Sequence, residues 1–280
     1  MNFLEEFKTD SYKAAIVPIP FEKTTSFQKG TKNGPNSILE ASHELEIFDH
    51  KRKISPIEIG IKTFDPIKFN EQESLEDSQE KIFNYTNKVL QEKLWPIFLG
   101  GEHSISYPII KAFKKQFADI SVIQIDAHAD LREQYDGTKL SHACVMKRIF
   151  DQGISFSQVG IRNYSLEENK LIEKNKLNVI HNNEINNPKF DLSKITNSLS
   201  KNIYITIDID SLDPSIAPGT GTPEPEGLSY TRLIEILTFV FKNKNVVGAD
   251  IVEVMPIPGN KLTEFIAAKI AYEMIALKFY

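Results

Sequence analysis

Six residues in three short segments have the types and spacing of a divalent-metal site. Asp126, His128 and Asp130 alternate in "VIQIDAHADLR", Asp208 and Asp210 alternate in "ITIDIDSLD", and His103 follows Glu102 in "FLGGEHS". Each segment opens as an apolar run suited to a buried strand. If strand geometry persists past the run, period two turns alternate residues to one side. Gathered carboxylates repel one another, and each costs several kcal/mol to desolvate unless it is paired. Arg132 is the only basic residue inside these motifs, so divalent cations are the expected compensation. Four aspartates match the charge of two M²⁺ ions, and two imidazoles add nitrogen donors. A donor set of O and N without thiolate suits Mn²⁺ or a similar ion rather than a structural zinc. Such pairs can reach two ions roughly 3.5–4 Å apart, where bound water loses its proton near pH 7 instead of about 15.7 and becomes a hydroxide nucleophile.

Elements that alternate along the chain must position these groups. Residues 14–20, 95–100, 120–126, 156–160, 177–180, 203–210 and 246–254 are predicted as short buried strands. Helical periodicity covers 36–48, 73–94, 104–117, 230–243 and 261–279. Strands that are apolar on both faces, alternating with amphipathic helices, imply an α/β fold with a mainly parallel sheet covered on both sides. No Gly-, Ser- or Pro-rich linker divides the chain, so one domain over residues 1–280 is expected. Ligands of such sheets bind beyond the carboxyl ends of the strands. Four predicted strands deliver polar residues to that edge: Glu102 and His103, the Asp126 triplet, the Asp208 pair, and Glu253 in "DIVEVMP".

Bulk composition narrows the partners. The formal charge is −5 and the 33 basic residues are scattered, which argues against nucleic acid and anionic membranes. The single cysteine, Cys144, rules out an intramolecular disulfide and fits a reducing compartment. The opening "MNFLEEFKTDSYK" lacks the apolar run of a signal peptide, and no stretch approaches the roughly 18 apolar residues of a membrane helix. A cytoplasmic protein is expected.

Beyond these residues, "GGEHS", "DAHADLR", "SHACVM", "DIDSLDPSIAPGTGTPEPEGL" and "EVMP" resemble the signature segments of the ureohydrolases, the arginase and agmatinase family. The opening "PFEKTTSFQKGTKNGPNSILEAS" is similar to that family's first segment, and the motifs fall in family order over roughly residues 14–280. The resemblance implies a three-layer α/β/α sandwich with about eight strands, typically a homotrimer or homohexamer. It implies two Mn²⁺ per subunit, one held by His103, Asp126, Asp130 and Asp208. The other would be held by His128, Asp126, Asp208 and Asp210, with Asp126 and Asp208 bridging. His142 corresponds to the mobile histidine that relays protons to the leaving amine, and Asp130 can pass on the hydroxide's proton. Glu253 corresponds to the carboxylate that holds the substrate guanidinium, and Thr222 to a threonine near it. Urea and an amine would be the products.

Within the family, arginases grip the α-amino and α-carboxylate groups with an Asn-Thr pair and a Ser-Gly-Asn stretch. Here "LREQYDGTKLSHA" carries neither, and its Glu133 and Asp136 add negative charge. Agmatine is therefore the expected substrate, with N1-aminopropylagmatine or a guanidino acid such as guanidinobutyrate as alternatives and arginine less favoured. Arg132 is expected to be committed to structure beside the metal loop. Glu226 departs from the family pattern, where a glycine usually precedes the Gly-Leu pair. A single-zinc deacetylase of related architecture would lack the second ligand set that is complete in Asp126, His128, Asp208 and Asp210. A metallophosphoesterase would carry Gly-Asp-x-x-Asp and Gly-Asn-His-Glu motifs that are absent, and a pseudoenzyme would show a broken ligand. Cys144 is expected at a buried helix start rather than as a nucleophile. His43, His50 and His181 are expected on the surface or in loops.

Overall fold

A computed structural model describes residues 1–4, 9 and 11–280. Eight strands form one sheet: β1 (Ala14–Ile19), β2 (Ile61–Thr63), β3 (Trp95–Gly100), β4 (Ser121–Ile125), β5 (Phe156–Ile161), β6 (Asn178–His181), β7 (Asn202–Asp208) and β8 (Asn245–Val252). Their order across the sheet is β2-β1-β3-β8-β7-β4-β5-β6, and every neighbouring pair is parallel. A parallel sheet needs cover on both faces, because its connections cross over as helices. One face is covered by α1 (Gly34–Ser42), α6 (Asn182–Ile185), α7 (Ser193–Thr196), α8 (Tyr230–Asn243) and α9 (Leu262–Phe279). The other is covered by α2 (Leu75–Gln91), α3 (Ser106–Gln116), α4 (Val145–Asp151) and α5 (Leu166–Asn175).

The strand pleat feeds two separate cores. Ile97 and Leu99 of β3 point to the α9 side, and Phe98 between them points to the α3 side. In β7, Ile203, Ile205 and Ile207 face one layer and Tyr204 the other. This explains why the strands are apolar without alternation: both faces are dry. Phe98 is fully buried with Phe113 of α3 edge-on at 6.3 Å, so truncating it to alanine costs about 3–5 kcal/mol. Helix starts follow capping chemistry. Ser74, Ser165 and Ser229 cap α2, α5 and α8, and Ser165 forms a reciprocal capping box with Glu168.

The predicted strands are all present, but their ends differ at the site. The strand predicted to run to Asp210 ends at Asp208, where Ile209–Ser211 tighten into a 3-10 turn. The strand predicted to run to Val254 ends at Val252, because Glu253 takes a left-handed backbone with φ 62°. Strand β2 was not predicted: three half-buried edge residues are too few to show a period. The helix predicted over 36–48 spans Gly34–Ser42 and then breaks into turns. Ser42 there donates to the Leu39 carbonyl and accepts the Leu4 amide, so its side chain competes with helix continuation.

Candidate metal centre and active site

Asp126, Asp208, His103 and Glu253 come from the carboxyl ends of β4, β7, β3 and β8, four strands that are contiguous in the middle of the sheet. Every ligand predicted from sequence reaches one site, though not by the pleat. Strand geometry stops at Ile125, and the chain curls so that the His128 amide donates to Asp126 Oδ1 at 2.6 Å. Asp130 is left-handed, with φ 52°. The Asp210 amide likewise donates to Asp208 Oδ1 at 3.0 Å within the 3-10 turn. Tight turns allow residues two apart to converge, where an extended pleat would hold them about two rises apart.

Two donor sets result. His103, Asp126 and Asp208 offer atoms within 4.8 Å of one another, as do Asp126, His128 and Asp210. Asp126 belongs to both. Asp130 joins the first set, with Oδ2 at 3.1 Å from His103 Nδ1. Thr222 places its hydroxyl 3.4 Å from Asp210 Oδ2, as donor.

The electrostatics favour a cation among these groups. Asp126, Asp208 and Asp210 are buried together. Burial, with Asp210 and Asp130 close by, pushes Asp126 up to about 7, and burial with Asp210 and Asp126 raises Asp208 well above the carboxylate range. Burial opposes charge on His128, yet Asp210 outweighs it and lifts the imidazole to about 11. Asp210 is held below its ordinary value: burial works against the carboxylate, and His128 overcomes it.

His103 supplies the sharper test. Its Nε2 lies 2.8 Å from Thr206 Oγ1, whose hydroxyl donates to Asp250 Oδ1 at 2.6 Å, and Tyr204 donates to the other Asp250 oxygen at 2.9 Å. Thr206 has one proton and spends it on Asp250, so His103 Nε2 must be the N–H donor. Its Nδ1 faces carboxylate oxygens of Asp126, Asp130 and Asp208 at 3.1, 3.1 and 3.4 Å; burial opposes charge on the ring, yet without a metal these carboxylates outweigh it and hold the imidazole protonated, well above its ordinary range. A divalent metal would take the place of that proton, with Nε2–H held by Thr206 and Nδ1 free to ligate, and the all-O/N donor set fits such an ion.

Glu253 closes the site from β8. Its Oε1 accepts the His103 amide at 2.7 Å, and burial raises it well above the carboxylate range. The cavity beside these groups measures about 150 Å³, with His142, Arg132, Tyr135, Tyr164, Thr222 and Glu253 among its walls. His142 opens a 3-10 turn capped by Ser141, so it is a wall residue and not the cap. Cys144 is buried two residues on, next to the Thr138 carbonyl, and burial pushes its thiol up to about 11.

Several expectations change. Arg132 is not buried in structure: it lines the cavity over the Tyr135 ring (5.2 Å), with Nε 3.8 Å from Glu168 Oε2. The structural arginine is Arg162, whose guanidinium donates to the carbonyls of Asp210, Glu224 and Pro225. Glu133 pairs with Lys139 and Lys147, which hold it down at about 2, so its charge is spent away from the cavity. His181 ends β6 rather than lying in a loop; its side chain is at the surface as expected, 39% exposed, and meets the Tyr164 hydroxyl at 2.9 Å behind the cavity wall. Sequence reasoning passed over Thr24, Thr206 and Glu168. It also gave no role to Asp250, although a carboxylate inside an apolar strand was a usable signal.

Residues 12–276 match the arginase family. The chain belongs to that family. It is 38% identical to an agmatinase of Halalkalibacterium halodurans over 276 residues, covering 94% of this chain and 91% of the relative. It is 35% identical to an N(1)-aminopropylagmatine ureohydrolase of Thermus thermophilus over 266 residues, 95% of this chain and 90% of the relative. Among solved structures, agmatine ureohydrolase of Thermoplasma volcanium superposes with a TM-score of 0.86 at 31% identity, covering 96% of this chain and 90% of the other. The protein is a ureohydrolase with the arginase-like α/β fold, acting on amidino C–N bonds. Among the described residues, no helix is long and apolar enough to cross a membrane.

Proposed function

We propose that this arginase-family ureohydrolase binds two Mn²⁺ ions and hydrolyses the guanidinium group of agmatine, releasing putrescine and urea. The observation that carries the reading is the buried pair of donor sets sharing Asp126, with the Glu253 carboxylate beside them on one small cavity. His103, Asp126, Asp130 and Asp208 would hold one ion, and His128, Asp126, Asp208 and Asp210 the other. Bound there, the ions would supply hydroxide at neutral pH and polarise the substrate. Glu253 binds the guanidinium with charge-assisted hydrogen bonds and orients its planar carbon. Asp130 takes the attacking oxygen's proton, and His142 delivers a proton to the departing amine, which is too basic to leave as an anion.

Substrate preference rests on the cavity wall. Arg132 is its one guanidinium, and its charge is shared with Glu168. Glu168 competes with any substrate carboxylate for that guanidinium, which weighs against arginine and guanidinobutyrate. The rings of Tyr135 and Tyr164 suit an alkylammonium chain. Those rings also favour a second reading, N1-aminopropylagmatine, whose longer polyamine tail would run past them. Urea release compared as kcat/KM for agmatine, aminopropylagmatine, guanidinobutyrate and arginine under saturating Mn²⁺ tests both. Arginine or guanidinobutyrate leading would overturn the substrate reading and leave the family untouched. The same reading takes residues 1–280 as one cytoplasmic domain assembled as a homotrimer or homohexamer, which sedimentation measures directly.

A further inference from the structure

We infer that Thr24 and Glu102 form a positioning pair that sets the tautomer of His142, leaving Nε2 as the nitrogen that takes and returns a proton. The inference deepens the reading of His142 as proton carrier and rests on it.

Glu102 follows β3 and is fully buried. Its carboxylate accepts the amides of Lys23 and Thr24, both at 2.6 Å, the Thr24 hydroxyl at 2.7 Å, and the Ser104 hydroxyl. These bonds pin residues 23–24 against the sheet edge, 78 residues away in sequence from the carboxylate that holds them. An acceptor with that many donors fixes the direction of the Thr24 O–H: the proton points to Glu102.

A threonine hydroxyl has one proton and two lone pairs. With its proton committed, Thr24 Oγ1 can only accept from any other neighbour. It accepts the His142 backbone amide at 3.0 Å, which sets where the 3-10 turn begins. Its second lone pair faces His142 Nδ1 at 3.3 Å. That contact is a hydrogen bond only if Nδ1 carries the proton. Ser141 Oγ, 3.4 Å from the same nitrogen, accepts the Ala143 amide and keeps both a lone pair and its proton, so this longer contact competes with the shorter one from Thr24 and would donate to Nδ1 once the Thr24 hydroxyl is removed. Tyr135 stands edge-on to the ring at 5.9 Å and limits its rotation. Neutral imidazole has one N–H, so Nε2 keeps its lone pair, on a ring that lines the cavity. The chain Glu102–Thr24–His142 thus mirrors Asp250–Thr206–His103, with the opposite nitrogen protonated.

The test uses ¹⁵N-histidine protein in Mg²⁺, which is diamagnetic, with the His142 signals identified by their loss in H142A. In the wild type the neutral ring should show protonated Nδ1 and unprotonated Nε2. T24V should shift the ring toward the Nε2–H form, and T24S, which keeps the hydroxyl, should not. In parallel, T24V should lower kcat for urea release by roughly 10–100-fold, a part of what general acid–base groups contribute, with KM and ion content unchanged. T24S should stay near the wild type. A wild-type ring protonated at Nε2, or a T24V ring unchanged from the wild type, overturns the inference, and the first of these needs no variant to fold. If H142A leaves kcat untouched, the proton-carrier reading fails, while the tautomer spectra still decide this assignment by themselves.

Discussion

Replacing Thr206 with valine should loosen metal binding without emptying the core. The side chains have nearly the same shape, and Thr206 is fully buried, so packing is kept while three hydrogen bonds, to His103, Asp250 and Ser106, are lost. His103 Nε2–H is left without its acceptor and Asp250 Oδ1 without its donor. An unpaired buried donor costs about 1–3 kcal/mol. Removing an outer partner of a metal-bound histidine typically costs about 10–100-fold in metal affinity, equivalent to about 1.4–2.7 kcal/mol. The two figures overlap, because both describe an imidazole no longer held in its binding orientation. Ser106 Oγ lies 3.2 Å from the lost hydroxyl and can recapture part of the network, which places the expected loss toward the tenfold end. Mn²⁺ titration by calorimetry reads the effect, with T206S as the control that keeps the hydroxyl. Wild-type affinity in T206V, with His103→Ala impaired, would refute the claim that this chain orients His103.

Glu253→Gln should keep both ions, since the amide oxygen can still accept the His103 amide, but kcat/KM should fall by roughly 10–100-fold on loss of charge-assisted bonds to guanidinium. Metal analysis with steady-state kinetics checks this, and unchanged kinetics would show the guanidinium is held elsewhere. Glu226 holds φ 62°, a left-handed backbone that glycine adopts without strain. Glu226→Gly should therefore raise unfolding stability by about 0.5–1 kcal/mol in urea titrations; a loss would show that the side chain contributes more than the strain costs. Cys144, with its thiol raised to about 11 by burial, should alkylate slowly at pH 7.5, speeding up roughly tenfold per pH unit toward that value. Rapid labelling of the folded protein at pH 7.5 would contradict that environment.

Much of the site was legible from spacing. Paired Asp and His residues after apolar runs mark candidate metal ligands, because carboxylates gathered at strand ends need a compensating charge. The strands themselves were legible because both of their faces are dry. Their ends were not: Asp130 and Glu253 take left-handed backbones that their residue types disfavour, so only surrounding contacts could impose them. Arg132 and Arg162 could not be told apart, since a guanidinium's partners are backbone carbonyls or carboxylates brought in from other segments. Tertiary structure alone decided that β8 inserts between β3 and β7, making His103, Glu253, Asp208 and Asp126 neighbours. It alone brought Thr24 to His142 and Thr206 to His103, across 118 and 103 residues. Ligand chemistry is written in local residue types. Strand order and hydrogen-bond partners across such distances depend on which faces pack together, and no local pattern encodes that.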